Sequence, residues 1–180
     1  MIVGGVAKRY AQAIFELGLE GGTYRDLLSE FTDFCNYLDE KGEIKEILES
    51  SIYNVQEKRG VLDALLKKKN YSEMIDHFLR LIQEKRRISF ITQIRNGLLL
   101  LVESHEGIER VEVIASSPLE KGQKKEIVNA LEKSTGKKVV LEESIDPSII
   151  GGLIIKAGSK IYDGSIVTQL NSLGEKLKKG

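Results

Sequence analysis

The apolar residues of this 180-residue chain change their spacing near Gly107, from a helical period to an alternation of two. No single element can carry both periods, so the chain must join a helical part to a part that contains strands. Val6, Tyr10, Ile14 and Leu17 recur at spacings of four, four and three, which is one face of an amphipathic helix. Ala7, Ala11 and Ala13 place small side chains beside that face, where another helix can come close, and Gly21-Gly22 ends the helix. A second helix is predicted from about Thr23 to Leu38 with Leu27, Leu28, Phe31, Phe34 and Cys35, stopped at Lys41-Gly42. Shorter helices follow at Glu43 to Glu49, Val55 to Lys68, Ser72 to Glu84 and about Ile88 to Ser104. No proline occurs before position 118, so this part reads as an all-α bundle of about six helices.

Beyond Gly107, Val111, Val113 and Ala115 alternate with Glu112 and Ile114, and Ser117-Pro118 marks a turn or helix start. A helix is expected from about Leu119 to Lys133. Strands follow at Val139 to Leu141 and at Leu153 to Ile155, with a possible short one at Ile161-Tyr162, before a last helix from Ser165 to Lys179. The fold class is therefore α+β overall, a helical bundle over 1–105 followed by a small α+β domain over 106–180.

The stretch GGLIIKAGSKIYDGS, residues 151–165, has the glycines, lysines and serines of a phosphate-binding loop. Such a loop needs four residues between its glycines, then Lys and a hydroxyl in that order, with bare backbone N–H groups around the phosphate. Here Gly152 and Gly158 are separated by five residues, Ser159 precedes Lys160, and Leu153, Ile154 and Ile155 occupy the interval. The stretch reads as a strand ended by a turn. Asp163-Gly164-Ser165 reads as a turn and helix N-cap.

Other chemistry lacks a foundation in the residues. His77 and His105, the two histidines, have no second histidine or cysteine at helical metal-site spacing. No nucleophile elbow, paired cysteines or zinc-protease helix occurs, so neither a catalytic residue, a cofactor site nor a metal site is assigned. The lone Cys35 falls in an apolar helical pattern and reads as a small core residue. Lys plus Arg and Asp plus Glu are 27 each, which leaves no net field to hold a polyanion. The short runs Lys67-Lys68-Lys69 and Lys85-Arg86-Arg87 fall at helix ends, where cations suit the dipole. An RNA-binding module built on the small α+β domain is the alternative from another class, but Tyr162 is the one aromatic after Phe90 for base stacking. No apolar run approaches the ~18 residues of a membrane span, and the N-terminus has no secretion-signal pattern.

Three segments resemble a known family. AKRYAQAIFELG near the start, FLRLIQEKRRISFI, and above all VVLEESIDPSIIGGLIIKAGSKIYDGSIVTQL are similar to the delta subunit of the bacterial F-type ATP synthase, counterpart of the mitochondrial oligomycin-sensitivity-conferring protein. Asp146, Ile149, Gly151-Gly152-Leu153, Ile155-Lys156 and Gly158 fall where the family signature wants them. Lys85-Arg86-Arg87 departs from the Asn-Gly-Arg that relatives often carry, which leaves the turn there open.

The resemblance implies a non-catalytic stator subunit without a cofactor, on the cytoplasmic face of the cell membrane and attached to the membrane through its complex. It implies two partners. The N-terminal helix of an alpha subunit would lie in a groove between the first and fifth helices, against Tyr10, Ala13, Ile14 and Leu17 on one and Ile75, Phe78, Leu79 and Ile82 on the other. Each of these residues suits the bundle's own core as well. The b-type peripheral stalk would be held by the C-terminal domain. Gly151 and Gly152 permit a bulge or close backbone approach with or without a partner. Ile166, Leu170, Leu173 and Leu177, spaced by four, three and four, suit packing on the sheet or on a stalk helix.

Overall fold

The computed structural model describes residues 4–158 and 160–179, with side chains through Gly174. Two compact units divide between Val102 and Glu103, inside the sixth helix. The first unit holds α1 (Gly5–Glu20), α2 (Tyr24–Glu40), α3 (Gly42–Glu49), α4 (Val55–Lys69), α5 (Glu73–Glu84) and most of α6 (Ile91–His105). A single 3-10 turn, Ile88–Phe90, leads into α6, so the last helix of this unit starts three residues later than its apolar pattern suggests.

Local chemistry accounts for the helix ends. Asn54 Oδ1 accepts the N–H groups of Gln56 and Glu57 at 2.9 Å each, and Glu57 returns a carboxylate to the Asn54 N–H at 2.8 Å. This reciprocal cap starts α4, and Lys67, Lys68 and Lys69 close it beside its exposed carbonyls. At the start of α5, Glu30 of α2 accepts from both the N–H and the hydroxyl of Ser72, at 2.9 and 2.6 Å. Next to it, Asp33 accepts from the Tyr71 hydroxyl at 2.6 Å and from Lys69 at 2.9 Å, and these two donors hold its carboxyl below the ordinary value. Two carboxylates of α2 thus fasten the α4–α5 connection.

Phe31, Phe34, Leu38, Leu62, Leu66, Ile75, Leu79, Ile82 and Ile94 are fully buried and fill the bundle. Phe31 meets Phe78 edge-on at 5.5 Å between ring centroids. Of the three alanines on α1, Ala7 and Ala11 are buried while Ala13 faces out. Two turns past Ala11, α1 comes close to the start of α2 at Gly18, where a Cβ would come within 2.8 Å of the Tyr24 Cα. Cys35 is a core residue, and burial pushes its thiol up to about 12.

The turn at Lys85-Arg86-Arg87 forms, with Arg86 at φ 54 in the left-handed region. A side chain there costs on the order of 1 kcal/mol that glycine avoids. Arg86→Gly is therefore expected to stabilise the chain by ~1 kcal/mol, read as a later midpoint in urea unfolding. An unchanged or earlier midpoint would mean that the Arg86 side chain compensates its backbone.

The second unit holds β1 (Ile108–Ala115), α7 (Lys121–Thr135), β2 (Lys138–Ile145), β3 (Leu153–Ala157), β4 (Lys160–Asp163) and α8 (Ile166–Lys179). The sheet order is β2-β1-β3-β4. β1 and β2 are parallel, with Ile108 opposite Lys138 and Ala115 opposite Ile145, while β3 is antiparallel to both β1 and β4. α7 forms the crossover that parallel pairing requires. Val111, Val113 and Ala157 are buried on one face, with Ile127 and Leu131 of α7 packed against them. Arg110 sits on the opposite side of the β1 pleat and pairs with Glu103 and Glu142, and Lys156 pairs with Glu112 at 3.2 Å.

α7 begins at Lys121 and not near Leu119, because Glu120 and Gln123 form its capping box. Glu143 of β2 takes the Leu119 N–H at 2.6 Å and the Lys124 ammonium at 2.7 Å. The short strand at Ile161-Tyr162 is real and completes the sheet as β4.

Candidate partner-binding surfaces

An open apolar hollow of about 480 Å³ lies between α1 and α5. Ile14 and Leu17 line it from α1, and Glu73, Met74, His77, Phe78 and Leu81 line it from α5. Its floor is nearly closed, since Ile14 is 1% and Phe78 8% exposed. Its rim is greasy and wet: Leu17 is 50% and Leu81 43% exposed. Tyr10 is half-buried and meets Phe78 edge-on at 6.4 Å, so its ring supports the floor from one end.

The residues that the resemblance placed along the α1/α5 groove divide into three groups. Ile14, Leu17 and Phe78 line the hollow. Tyr10 backs Phe78, and Ala13 is exposed on α1 without lining the hollow. Ile75, Leu79 and Ile82 are each at 0% exposure and fill the bundle interior, so they position α5 and do not present a surface. Met74 and Leu81 take their place at the rim. α5 carries two adjacent apolar stripes, 74/78/81 and 75/79/82, with the same helical spacing. That doubled stripe is the signal for Met74 and Leu81, and their companion His77 shares the face by its position one turn from Met74 and Leu81.

Chemically, the hollow can take apolar side chains projecting from a helix at three- and four-residue intervals, with Glu73 and His77 offering polar contacts at the edge. Among the described residues no group of three or more His, Cys, Asp or Glu side chains could hold a metal ion. No described helix is long and apolar enough to cross a membrane.

In the second unit the glycine-rich stretch is a strand and two tight connections. Asp146 caps the 3-10 turn Pro147–Ile149 by accepting the Ser148 N–H at 2.9 Å. Ile150 follows at φ 64, bridged by a 2.7 Å hydrogen bond from the Gly151 N–H to the Ile149 carbonyl. This is a strained γ-turn, and it leaves the Ile150 side chain 66% exposed. Gly152, at φ 80, packs its Cα on the Gly164 carbonyl, and the Ile166 N–H donates to the Gly151 carbonyl at 3.0 Å. The two glycines thus let the start of α8 cross over the start of β3.

The turn and the N-cap expected ahead of α8 are present. Asp163 accepts the Ser165 N–H at 2.8 Å, and the Ser165 hydroxyl accepts the Thr168 N–H at 3.2 Å. Along α8, Ile166, Leu170 and Leu173 are 41%, 55% and 56% exposed, an apolar stripe left in solvent. The side chain of Leu177 lies outside the described residues.

Comparison with known proteins agrees along the whole chain. The family model for the ATP synthase delta (OSCP) subunit matches residues 6–177. The chain is 38% identical over 180 residues to the ATP synthase subunit delta of Geobacter sp. (strain M21), which covers 100% of both chains. It is 33% identical over 177 residues to the ATP synthase subunit delta of Rhizobium rhizogenes, covering 98% of this chain and 94% of that one. Its fold is shared with a chain of the Toxoplasma gondii mitochondrial ATP synthase hexamer, at a TM-score of 0.72 and 22% identity, with 97% and 98% of the two chains covered. By the family model over residues 6–177 and the full-length identity to these relatives, the chain belongs to the ATP synthase delta (OSCP) subunit family.

Proposed function

We propose that this chain is a non-catalytic stator part of an F-type ATP synthase, joining the catalytic head to the peripheral stalk. The first unit takes the amphipathic N-terminal helix of an alpha subunit into the α1/α5 hollow, and the second unit holds the b-type stalk. The complex carries it at the cytoplasmic face of the cell membrane. When the rotor turns inside the head, torque acts to turn the head as well, and a stator that resists it couples rotation to proton transport and ATP synthesis.

The open hollow is the observation that carries this reading. Leu17 and Leu81 are large apolar side chains held half in water on opposite walls of one groove, a costly arrangement for a surface that stays uncovered. An incoming helix would cover both and extend the buried layer begun by Ile14 and Phe78.

Binding of the full-length chain to a peptide copied from the start of the alpha subunit tests it. Leu17→Asp or Leu81→Asp would place a carboxylate against the apolar face of the peptide and is expected to weaken binding by about 2–4 kcal/mol. Tyr10→Asp should act in the same direction through loss of support to Phe78. Wild-type affinity in the correctly folded Leu17 and Leu81 variants would remove the hollow as the docking site.

A further inference from the structure

We propose that the α4/α5 flank of the helical unit is a second docking surface, which takes an acidic peptide segment of the catalytic head beside Gln83. The proposal rests on the reading that the chain binds that head.

Gln83 is 8% exposed, and its Oε1 has no hydrogen-bond partner. Buried polar atoms are nearly always paired, and an orphaned acceptor is a standing cost. Gln83 stands in the wall of two adjoining hollows. The smaller, about 110 Å³, is bordered by Val55, Arg59 and Arg80, and the larger, about 480 Å³, reaches Ile52, Tyr53, Lys58 and Arg86.

Charge and polarity point to the kind of occupant. Lys58, Arg59 and Arg86 make no ion pair among the described residues, whereas Arg80 is bound to Asp63. Glu49 and Glu84 are the acids in the same walls, so the flank is cationic in a chain whose charges balance overall. An acidic partner is favoured there. Ile52, Tyr53 and Val55 stand 89%, 41% and 51% exposed beside these cations, which adds apolar contact. The orphaned atom favours a peptide over other polyanions. Gln83 Oε1 accepts hydrogen bonds, and an ionised phosphate has only acceptors to offer, whereas a peptide brings an N–H.

The position on α5 gives the surface a mechanical sense. Met74, His77 and Leu81 face the α1 side, while Arg80, Gln83 and Glu84 face α4. The head would hold one helix from both flanks.

The test uses the full-length chain rebound to a catalytic head stripped of it. The triple variant Lys58→Glu, Arg59→Glu, Arg86→Glu is expected to bind the head about tenfold more weakly at low salt, with the deficit shrinking as salt is added. Gln83→Met removes the orphaned acceptor, so the melting temperature should rise while head affinity falls several-fold. A merely structural glutamine would raise stability and leave binding unmoved. Both variants should bind the alpha-subunit peptide as wild type does. Head binding unchanged in both would overturn the proposal, and if Leu17→Asp still lost the head, the α1/α5 reading would stand alone. If Leu17→Asp also bound normally, both would fall. Loss of retention on phosphatidylglycerol vesicles with head binding intact would make the flank a lipid surface and overturn the peptide assignment.

Discussion

Gly152→Ala is expected to destabilise the second unit by about 3–5 kcal/mol, enough to unfold much of it at room temperature. Two costs act at one atom. Gly152 has φ 80, where an L side chain is strained, and the added Cβ would overlap the carbonyl oxygen of Gly164. That carbonyl belongs to backbone and cannot swing aside, because the Gly164 N–H is bonded to Leu153 at 2.9 Å and the next residues start α8. A unit of this size has little stability in reserve. Gly151→Ala is the control. Its Cβ would meet the tip of the Ile166 side chain at 2.8 Å, and a rotamer change relieves that contact at a far smaller cost. Amide spectra of the two full-length variants separate the cases. Loss of dispersed β1–β4 signals in Gly152→Ala, with helical-unit signals kept, is the expected outcome. Equal unfolding midpoints for the two variants would show that the crossover at Gly164 yields easily.

Truncation after Gly164 is expected to abolish stalk binding while the alpha-subunit peptide still binds, so that a reconstituted complex hydrolyses ATP with little proton movement. The cut removes the exposed stripe Ile166, Leu170 and Leu173. It also removes the Ile166 contact over Gly151 and the Ser165 cap, so a point variant is needed beside it. Leu170→Asp, at a position 55% exposed, leaves the core of the unit untouched and should reproduce most of the loss. Heptad-like spacing gives the reason. Residues separated by four and three stay on one side of a helix, where they interlock with a second helix carrying the same pattern. Gly174 within α8 lowers its intrinsic helicity by about 1 kcal/mol relative to alanine, so a partner that packs on the stripe would firm the end of the helix. Normal coupling with the stalk retained in both variants would move the stalk site off α8.

The change of period near Gly107 by itself determined the helical part, the strand-containing part and the type of nearly every element. Helices and strands obey different spacings, and a bury-one-face requirement writes those spacings into the chain. Two helix ends were also legible, the basic last turn Lys67-Lys68-Lys69 and the cap at Asp163-Gly164-Ser165, because both act between neighbours in sequence. Glycine-rich residues 151–165 were readable as a strand with turns for the same local reason.

Tertiary structure decided what local spacing left equivalent. The stripes 74/78/81 and 75/79/82 on α5 are equally periodic, and only burial in the bundle interior closed the second completely and left Met74 and Leu81 at the rim of the hollow. Likewise, nothing near Gln83 marks its burial, which comes from α4 lying alongside. The Gly164 carbonyl that makes Gly152 irreplaceable is twelve residues away, brought there by the β3–β4 pairing. Periodicity sets which residues share a face. The shape and volume of the neighbouring elements set which of two adjoining faces is closed and which stays open to a partner.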